Sequence, residues 1–303
     1  MRMWFPVLRL ALTVATLVGS PATIRAQAPA SWAPVEQILG RAAVPQASDV
    51  MRFNFPRRDL RVMVGDVQVK PSFALGSWVA FKRLPNGQAM AMGDLVLTES
   101  EINPVITALQ QGGIEQMALH NHLLGASPAT MYLHINAIGK EADIARAIRR
   151  ALESSKTPLD TAPAGPATAF ELDTTALAKA LGYSGRLNGG VYQVNVARNE
   201  SVTENGHDVP SSMGLTTSIN FQPTGGEKAA ITGDFVMIGS EVNPVIRALR
   251  DNGISVAALH SHLIGESPNL YFMHFWANDD AIRLARGLNA ALAKTNSVKP
   301  KGP

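Results

Sequence analysis

The feature that most constrains this chain is a histidine-bearing stretch written into it twice. His120-Asn-His122-Leu-Leu-Gly-Ala-Ser-Pro128 leads on to His134, and His260-Ser-His262-Leu-Ile-Gly-Glu-Ser-Pro268 leads on to His274. Six of the seven histidines therefore recur at one offset of 140 residues without a gap, and positions 93–134 match 233–274 at 22 of 42 places. Self-similarity of this kind means two copies of one structural unit. The match extends outward: Leu39-Gly40 answers Leu181-Gly182, Asn54 and Arg57 answer Asn195 and Arg198, and Leu75 and Phe81 answer Leu215 and Phe221.

Within a unit the hydrophobic period changes in a readable order. Phe53, Phe55, Val62, Val64, Val67, Val69, Val79 and Phe81 alternate with polar neighbours, as half-buried strands do. Ser100-Glu101 and Ser240-Glu241 read as N-caps with an acid in the first turn of a short amphipathic helix. The period then returns to two: Ala118 to Leu124 reads as a strand, Gly125 to Pro128 as a turn and Met131 to Ala137 as a second strand. A last helix has Ile144, Ala145, Ile148 and Leu152 on one face. The expected class is α+β: a tandem duplication of a unit with several strands followed by β-α-β-β-α, the copies arranged about a pseudo-twofold axis.

Arg2 and Arg9 flank an apolar run from Leu8 to Val18, followed by the small-residue stretch Ala26-Gln-Ala28, which reads as a secretory signal peptide over residues 1–28, cleaved near Ala26 to Ala28. The first repeat is then 29–156, a Pro/Ala-rich linker 157–168, and the second repeat 169–303. The expected address is periplasmic or secreted, with no later run long enough for a stable membrane span. The chain has no cysteine, which excludes disulfides and thiolate metal sites. A net charge of only +3 with scattered Lys and Arg excludes a nucleic-acid stripe. Oligomeric state leaves no signature.

The histidines carry the chemistry. Residues i and i+2 of a strand share a face, so His120 with His122, and His260 with His262, each present two imidazoles together. If the turn centres on residue 127 or 128, His134 stands opposite one of them, and His274 does the same in the second unit. Three convergent imidazoles make a site for a divalent transition metal, zinc ahead of copper, nickel or iron, with coordination positions left for water or substrate. Glu266, which completes His-x-His-x-x-x-Glu in the second repeat only, and Glu241 are the candidate catalytic proton carriers; helix-dipole stabilisation also accounts for Glu241 and Glu101. Asp94 and Asp234 recur as candidate acceptors for an imidazole N–H. Met117, Met131 and Met273 read as core and His207 as exposed. The alternative is a non-catalytic ligand-binding or cell-envelope interaction module with structural histidines; metal sequestration without turnover is a third reading.

The repeated strings Gly-Asp-Phe/Leu-Val, Ser-Glu-Val/Ile-Asn-Pro-Val-Ile and Ala-Leu-His-x-His-Leu, with Phe-Met-His-Phe-Trp-Ala-Asn in the second copy, resemble the LppY/LpqO lipoprotein family, a bacterial two-copy domain family of unknown function. The resemblance spans nearly the whole mature chain. It implies an exported protein of this architecture and brings no reaction. The lipidated cysteine of that family is absent, which favours a free periplasmic protein over an anchored one.

Overall fold

The structure, a computed structural model, describes residues 31–161 and 169–300, together with positions 1, 3 and 4. The expected signal-peptide core and most of the linker lie outside the described residues. From Trp32 onward the chain forms one compact unit. The first repeat runs α1 (Ala33–Leu39), β1 (Val44–Pro45), β2 (Met51–Pro56), β3 (Val62–Val64), β4 (Val67–Val69), α2 (Pro71–Ala74), β5 (Gly76–Arg83) and β6 (Ala89–Thr98). It continues with α3 (Glu99–Gln111), β7 (Glu115–His120), β8 (Ala126–Ser127), β9 (Thr130–Gly139) and α4 (Glu141–Glu153). The second repeat begins α5 (Thr174–Leu181), β10 (Arg186–Asn188), β11 (Val191–Ala197), β12 (Val202–Glu204), β13 (His207–Val209), β14 (Thr216–Gly225) and β15 (Lys228–Ile238). It closes with α6 (Gly239–Asp251), β16 (Ser255–His260), β17 (Glu266–Ser267), β18 (Leu270–Asp280) and α7 (Ala281–Leu292).

Each repeat builds one antiparallel six-stranded sheet, in the order β1-β2-β5-β6-β9-β7 and β10-β11-β14-β15-β18-β16. The expected α+β duplication is what forms. The central strands show how the layers stack. Along β6, Ala89, Ala91, Leu95 and Leu97 join the core shared with α1, α3 and α4, while Met90, Met92 and Val96 join clusters that contain residues of the other repeat. Strand β15 divides in the same way, so helices cover the outer face of each sheet and the inner faces meet. The one acidic residue on the inner face of each central strand is Asp94 or Asp234.

The repeats also grip one another through their small hairpins. Beside β3–β4, Gln222 of the second sheet donates to the Gln68 carbonyl at 2.7 Å and accepts from the Lys70 amide at 2.9 Å. Reciprocally, Lys82 of the first sheet pairs with Asp208 in β13 at 3.0 Å. Each hairpin also takes in a short strand of its own repeat, β3 pairing with β8 and β12 with β17, and so pins the loop that follows the first two histidines.

Two local expectations need correction. Helix α3 starts two residues earlier than expected, with Thr98 rather than Ser100 as N-cap, because Glu101 folds back to accept the Thr98 amide in a capping box. In the second repeat the equivalent position is Ile238, which has no acceptor, and only the Glu241 half of the box remains. Strands β7 and β16 end at His120 and His260, so His122 and His262 stand on loops and not on the strands expected for them.

Candidate functional site: a shared histidine cluster

The register that aims the histidines can be followed across the first sheet. Trp78 of β5 pairs with Asp94 of β6, Asp94 with His134 of β9, and His134 with Ala118 of β7. The second sheet repeats this with Ser218, Asp234, His274 and Ala258. The residue opposite His134 is thus Ala118 and not His120 or His122, because the hairpin is centred on residue 126 rather than 127 or 128; the bulge between Gln116 and Ala118 decides only that Ala118 and not Met117 stands there. His120 lies two residues beyond Ala118 on the same face, so the rings still meet: His120 and His134 stack at 5.0 Å, as do His260 and His274 across sequence-matched partners in either repeat.

The six histidines do not form two separate triads. His120 stacks on His260 at 3.6 Å, His122 on His274 at 3.6 Å, and His134 lies 3.7 Å from His262. Donor nitrogens within 4.8 Å of one another group as His120, His122 and His134, but also as His120, His260 and His274 and as His134, His260 and His262, so ligand sets cross between the repeats. Tyr132 and Phe272 back the loop histidines, stacking on His122 at 3.4 Å and on His262 at 3.3 Å.

The proton positions follow from the outer hydrogen bonds. His274 Nδ1 donates to the Gly233 carbonyl at 2.9 Å, and His134 makes the matching bond to Gly93. In neutral rings this leaves Nε2 of each as a bare lone pair facing the cluster. Glycine is required at both places, since a Cβ at Gly93 would sit 2.7 Å from the Trp78 carbonyl oxygen and one at Gly233 would collide with that of Ser218. His120 Nε2 then lies 3.0 Å from His122 Nε2 and 3.1 Å from His274 Nε2. No placement of protons on neutral rings satisfies both contacts. If His120 donates to His274 it cannot accept from His122, and if His122 donates to His120 a lone pair faces the lone pair of His274.

Burial, followed by the neighbouring imidazoles, pushes His122, His262 and His274 well below the ordinary histidine value, and His120 also lies far below it. His134 falls to about 3 and His260 to about 4 for the same leading reason. Neutral imidazole is the form a metal takes. Several of these nitrogens have no partner among the described residues: His134 Nε2, His262 Nε2, His120 Nδ1 and both nitrogens of His260. Burial also raises Asp94 to about 7, against the pull of Arg52, and lifts Asp234 well above the carboxylate range with Asp94 adding to the effect. His262 Nε2 lies 3.4 Å from Asp234 and His122 Nε2 lies 3.8 Å from Asp94.

A cavity of about 820 Å³ between the inner faces reaches this cluster, lined there by His122, His134, His262, His274, Asp94 and Asp234. The structure does not bring the two candidate glutamates to it. Glu241 receives Arg198 at 2.6 and 3.2 Å, the Ile238 amide at 3.0 Å and the Asn296 amide at 2.6 Å, which uses both its oxygens. Glu266 is buried on β17, opposite Glu204, with one oxygen on the Leu270 amide at 3.0 Å. Neither lines the cavity. The carboxylates that do are Asp94 and Asp234, expected from the sequence only as acceptors. Arg52, Trp78 and Arg186, which line the same cavity, carried no repeat signal and were missed.

The family model described as "Domain of Unknown Function (DUF1259)" matches residues 33–154 and again 175–294. No curated protein matches. Among solved structures, EtuB from Clostridium kluyveri is 12% identical over 83% of this chain and 89% of its own, with a TM-score of 0.24. The trimeric bacterial microcompartment shell protein PduB is 15% identical over 82% of this chain and 90% of its own, with a TM-score of 0.22. Scores this low carry no argument about function or assembly.

Proposed function

We propose, for a chain that belongs to the DUF1259 family, that the shared histidine cluster holds a divalent transition metal, zinc ahead of copper, nickel or iron. The carrying observation is the approach of three Nε2 atoms, His122, His120 and His274, at separations of 3.0 and 3.1 Å that protons on neutral rings cannot reconcile. Nitrogens bound at 2.0–2.1 Å to one ion stand roughly 2.9–3.4 Å apart, so a cation accounts for the spacing. His134, His260 and His262 offer the pseudo-symmetric counterpart. A purely structural role would need partners for buried ring nitrogens that lack them.

A metal of this class supplies polarisation of a water or a substrate oxygen. Asp94, poised near 7 beside His122, and Asp234 beside His262 are then the groups to take up and return a proton, in place of Glu266 and Glu241. The Gly93 and Gly233 carbonyls hold the His134 and His274 rings in the tautomer that presents Nε2 inward. The cavity gives a reactant access to both aspartates. Metal-assisted hydrolysis or hydration fits this set of groups.

The likeness to the LppY/LpqO family and the leader over residues 1–28 extend the proposal to a free periplasmic protein. Among the described residues no helix is long and apolar enough to cross a membrane. The decisive test is elemental analysis of the purified mature chain after zinc reconstitution and dialysis, beside His260→Ala/His262→Ala. Bound metal in the wild type and its loss in the variant is the expected result. Equally negligible metal in both overturns the proposal.

A further inference from the structure

We infer that the cavity takes a small oxyanion, a carboxylate or phosphate group gripped between Arg52 of the first repeat and Arg186 of the second, with the rest of the molecule turned toward the histidines. The inference names the ligand class for the site proposed above and rests on that reading only for the metal-facing end. Both guanidiniums line the same cavity as His122, His134, His262 and His274. A volume of about 820 Å³ suits a small molecule.

Arg52 is held ready. Its Nε donates to Asn54 Oδ1 at 3.0 Å, and its guanidinium lies 4.1 Å over the Trp78 ring. Both terminal nitrogens remain without a partner among the described residues, and they form the fork that matches a carboxylate or phosphate. Arg186 lies on the edge strand β10 directly across from Gln193, and its guanidinium has no hydrogen bond or ion pair among the described residues. Gln193 is the residue that answers Arg52 in the second repeat, so the two cations approach from opposite walls. Burial lowers the Arg52 guanidinium, Asp94 pulls the other way, and Arg186 is close enough to lower it further, to about 10 in all. Two like charges in one cavity are unfavourable unless an anion lies between them.

Among the described residues no carboxylate forms an ion pair with Arg52 or Arg186. Arg58 also lines the cavity but is paired with Asp160 at 2.6 Å. The carboxylates on the lining are Asp94 and Asp234, which lie at the histidine end beside His122 and His262. The pseudo-symmetry is broken just here: Arg52 and Trp78 are answered by Gln193 and Ser218, whereas the six cluster histidines and both aspartates are duplicated. A symmetric reactive centre with an asymmetric grip suits a ligand with one charged end.

The test uses the full mature chain, zinc-loaded and metal-free, titrated calorimetrically with inorganic phosphate and, separately, with citrate. Wild type should bind at least one of them, and which one tells phosphate from carboxylate recognition. Arg52→Gln, which installs the second repeat's own residue, and Arg186→Gln should each weaken binding by about tenfold or more, the loss of a charge-assisted contact. Zinc content and far-UV circular dichroism should match wild type in both variants. Absence of binding of either anion to zinc-loaded wild type, or equal binding by both variants, overturns the inference. If the metal reading alone fails, wild type holds no zinc, yet the metal-free titrations still show the arginine dependence.

Discussion

Two buried polar centres recur in both repeats, and they are finished in opposite ways. In the first, Arg57 donates to the Val96 carbonyl at 2.7 Å and to Glu101 at 2.8 and 3.1 Å, and the other contacts of Glu101 are the Thr98 and Lys156 amides. Arg198, Val236, Glu241, Ile238 and Asn296 repeat the arrangement. Each carboxylate oxygen there has two donors, and the centre ties a strand, a helix start and the segment after the last helix together. In the second centre, beyond the bonds of His134 and His274 to the Gly93 and Gly233 carbonyls, imidazole nitrogens approach one another or have no hydrogen-bond partner among the described residues. Burial is common to both. Saturation separates them: a group that is fully bonded within the chain is spoken for, and one that is not is open to something from outside.

The largest effect should come from breaking the saturated centre. Glu241→Ala leaves Arg198 buried without its main partner and strands two amides, so a loss of about 3–5 kcal/mol is expected in urea denaturation of the metal-free chain. Metal per folded chain should not change. If instead the variant kept its stability and lost metal, the division of labour between the two centres would be wrong.

The reverse pattern is expected at the open centre. His122→Ala, on a loop and stacked on Tyr132, should abolish most metal retention while shifting the denaturation free energy of the metal-free chain by only about 1–2 kcal/mol. Asp234→Asn removes a group 3.4 Å from His262 without removing a ring nitrogen, and a drop in metal affinity of about 10–100-fold is expected by competition with a chromophoric chelator.

Acid should separate the two centres by pH window. The cluster histidines lie below their unfolded value, so the unfolded chain binds more protons and stability falls as pH drops from about 6.5 toward the folded values of about 4 for His260 and about 3 for His134. Asp94 works the other way: its folded value of about 7 favours the folded state at low pH, and that contribution is lost as pH rises from about 4 to 7. Six lowered histidines outweigh the raised acids Asp94, Asp234, Glu204 and Glu266, and the net loss is on acidification. Glu101 resists burial through the Arg57, Thr98 and Lys156 bonds and is held below its ordinary value, so its contribution survives to below about pH 4.5. Denaturant midpoints of the metal-free chain at pH 7, 5.5 and 4 should fall already between the first two; a flat profile down to pH 4.5 would contradict a cluster of neutral histidines.

The duplication, the α+β class and the grouping of the histidines were all legible because an offset of 140 residues and a period of two are properties of the sequence itself. The merging of two triads into one cluster was not. It depends on which faces of two sheets meet and on the reciprocal contacts of Gln222 and Lys82, long-range pairings that no local pattern encodes. The bulge before Ala118 also left no trace, and the convergence survived only because it returned His134 to the face of His120. Arg57 and Arg198 were visible as a repeated pair, but their bond to Glu101 and Glu241, which removes those acids from the candidate chemistry, required coordinates.

Glu266 gives the smallest and most pointed comparison, because the repeats differ there. In the second repeat Glu204 and Glu266 face each other on paired strands, both buried; in the first, Val64 faces Ala126. Burial lifts both glutamates, and each retains an oxygen with no partner among the described residues. Glu266→Ala restores the first repeat's residue. It gives up one bond, to the Leu270 amide, and relieves the crowding of two carboxylates, so the two effects nearly cancel and a change within about 1 kcal/mol is expected from thermal or urea denaturation. Zinc content should be unaltered, since Glu266 contributes to none of the donor groups around the histidines. Loss of metal in this variant would return the second repeat's acid to the site and make the cluster asymmetric after all.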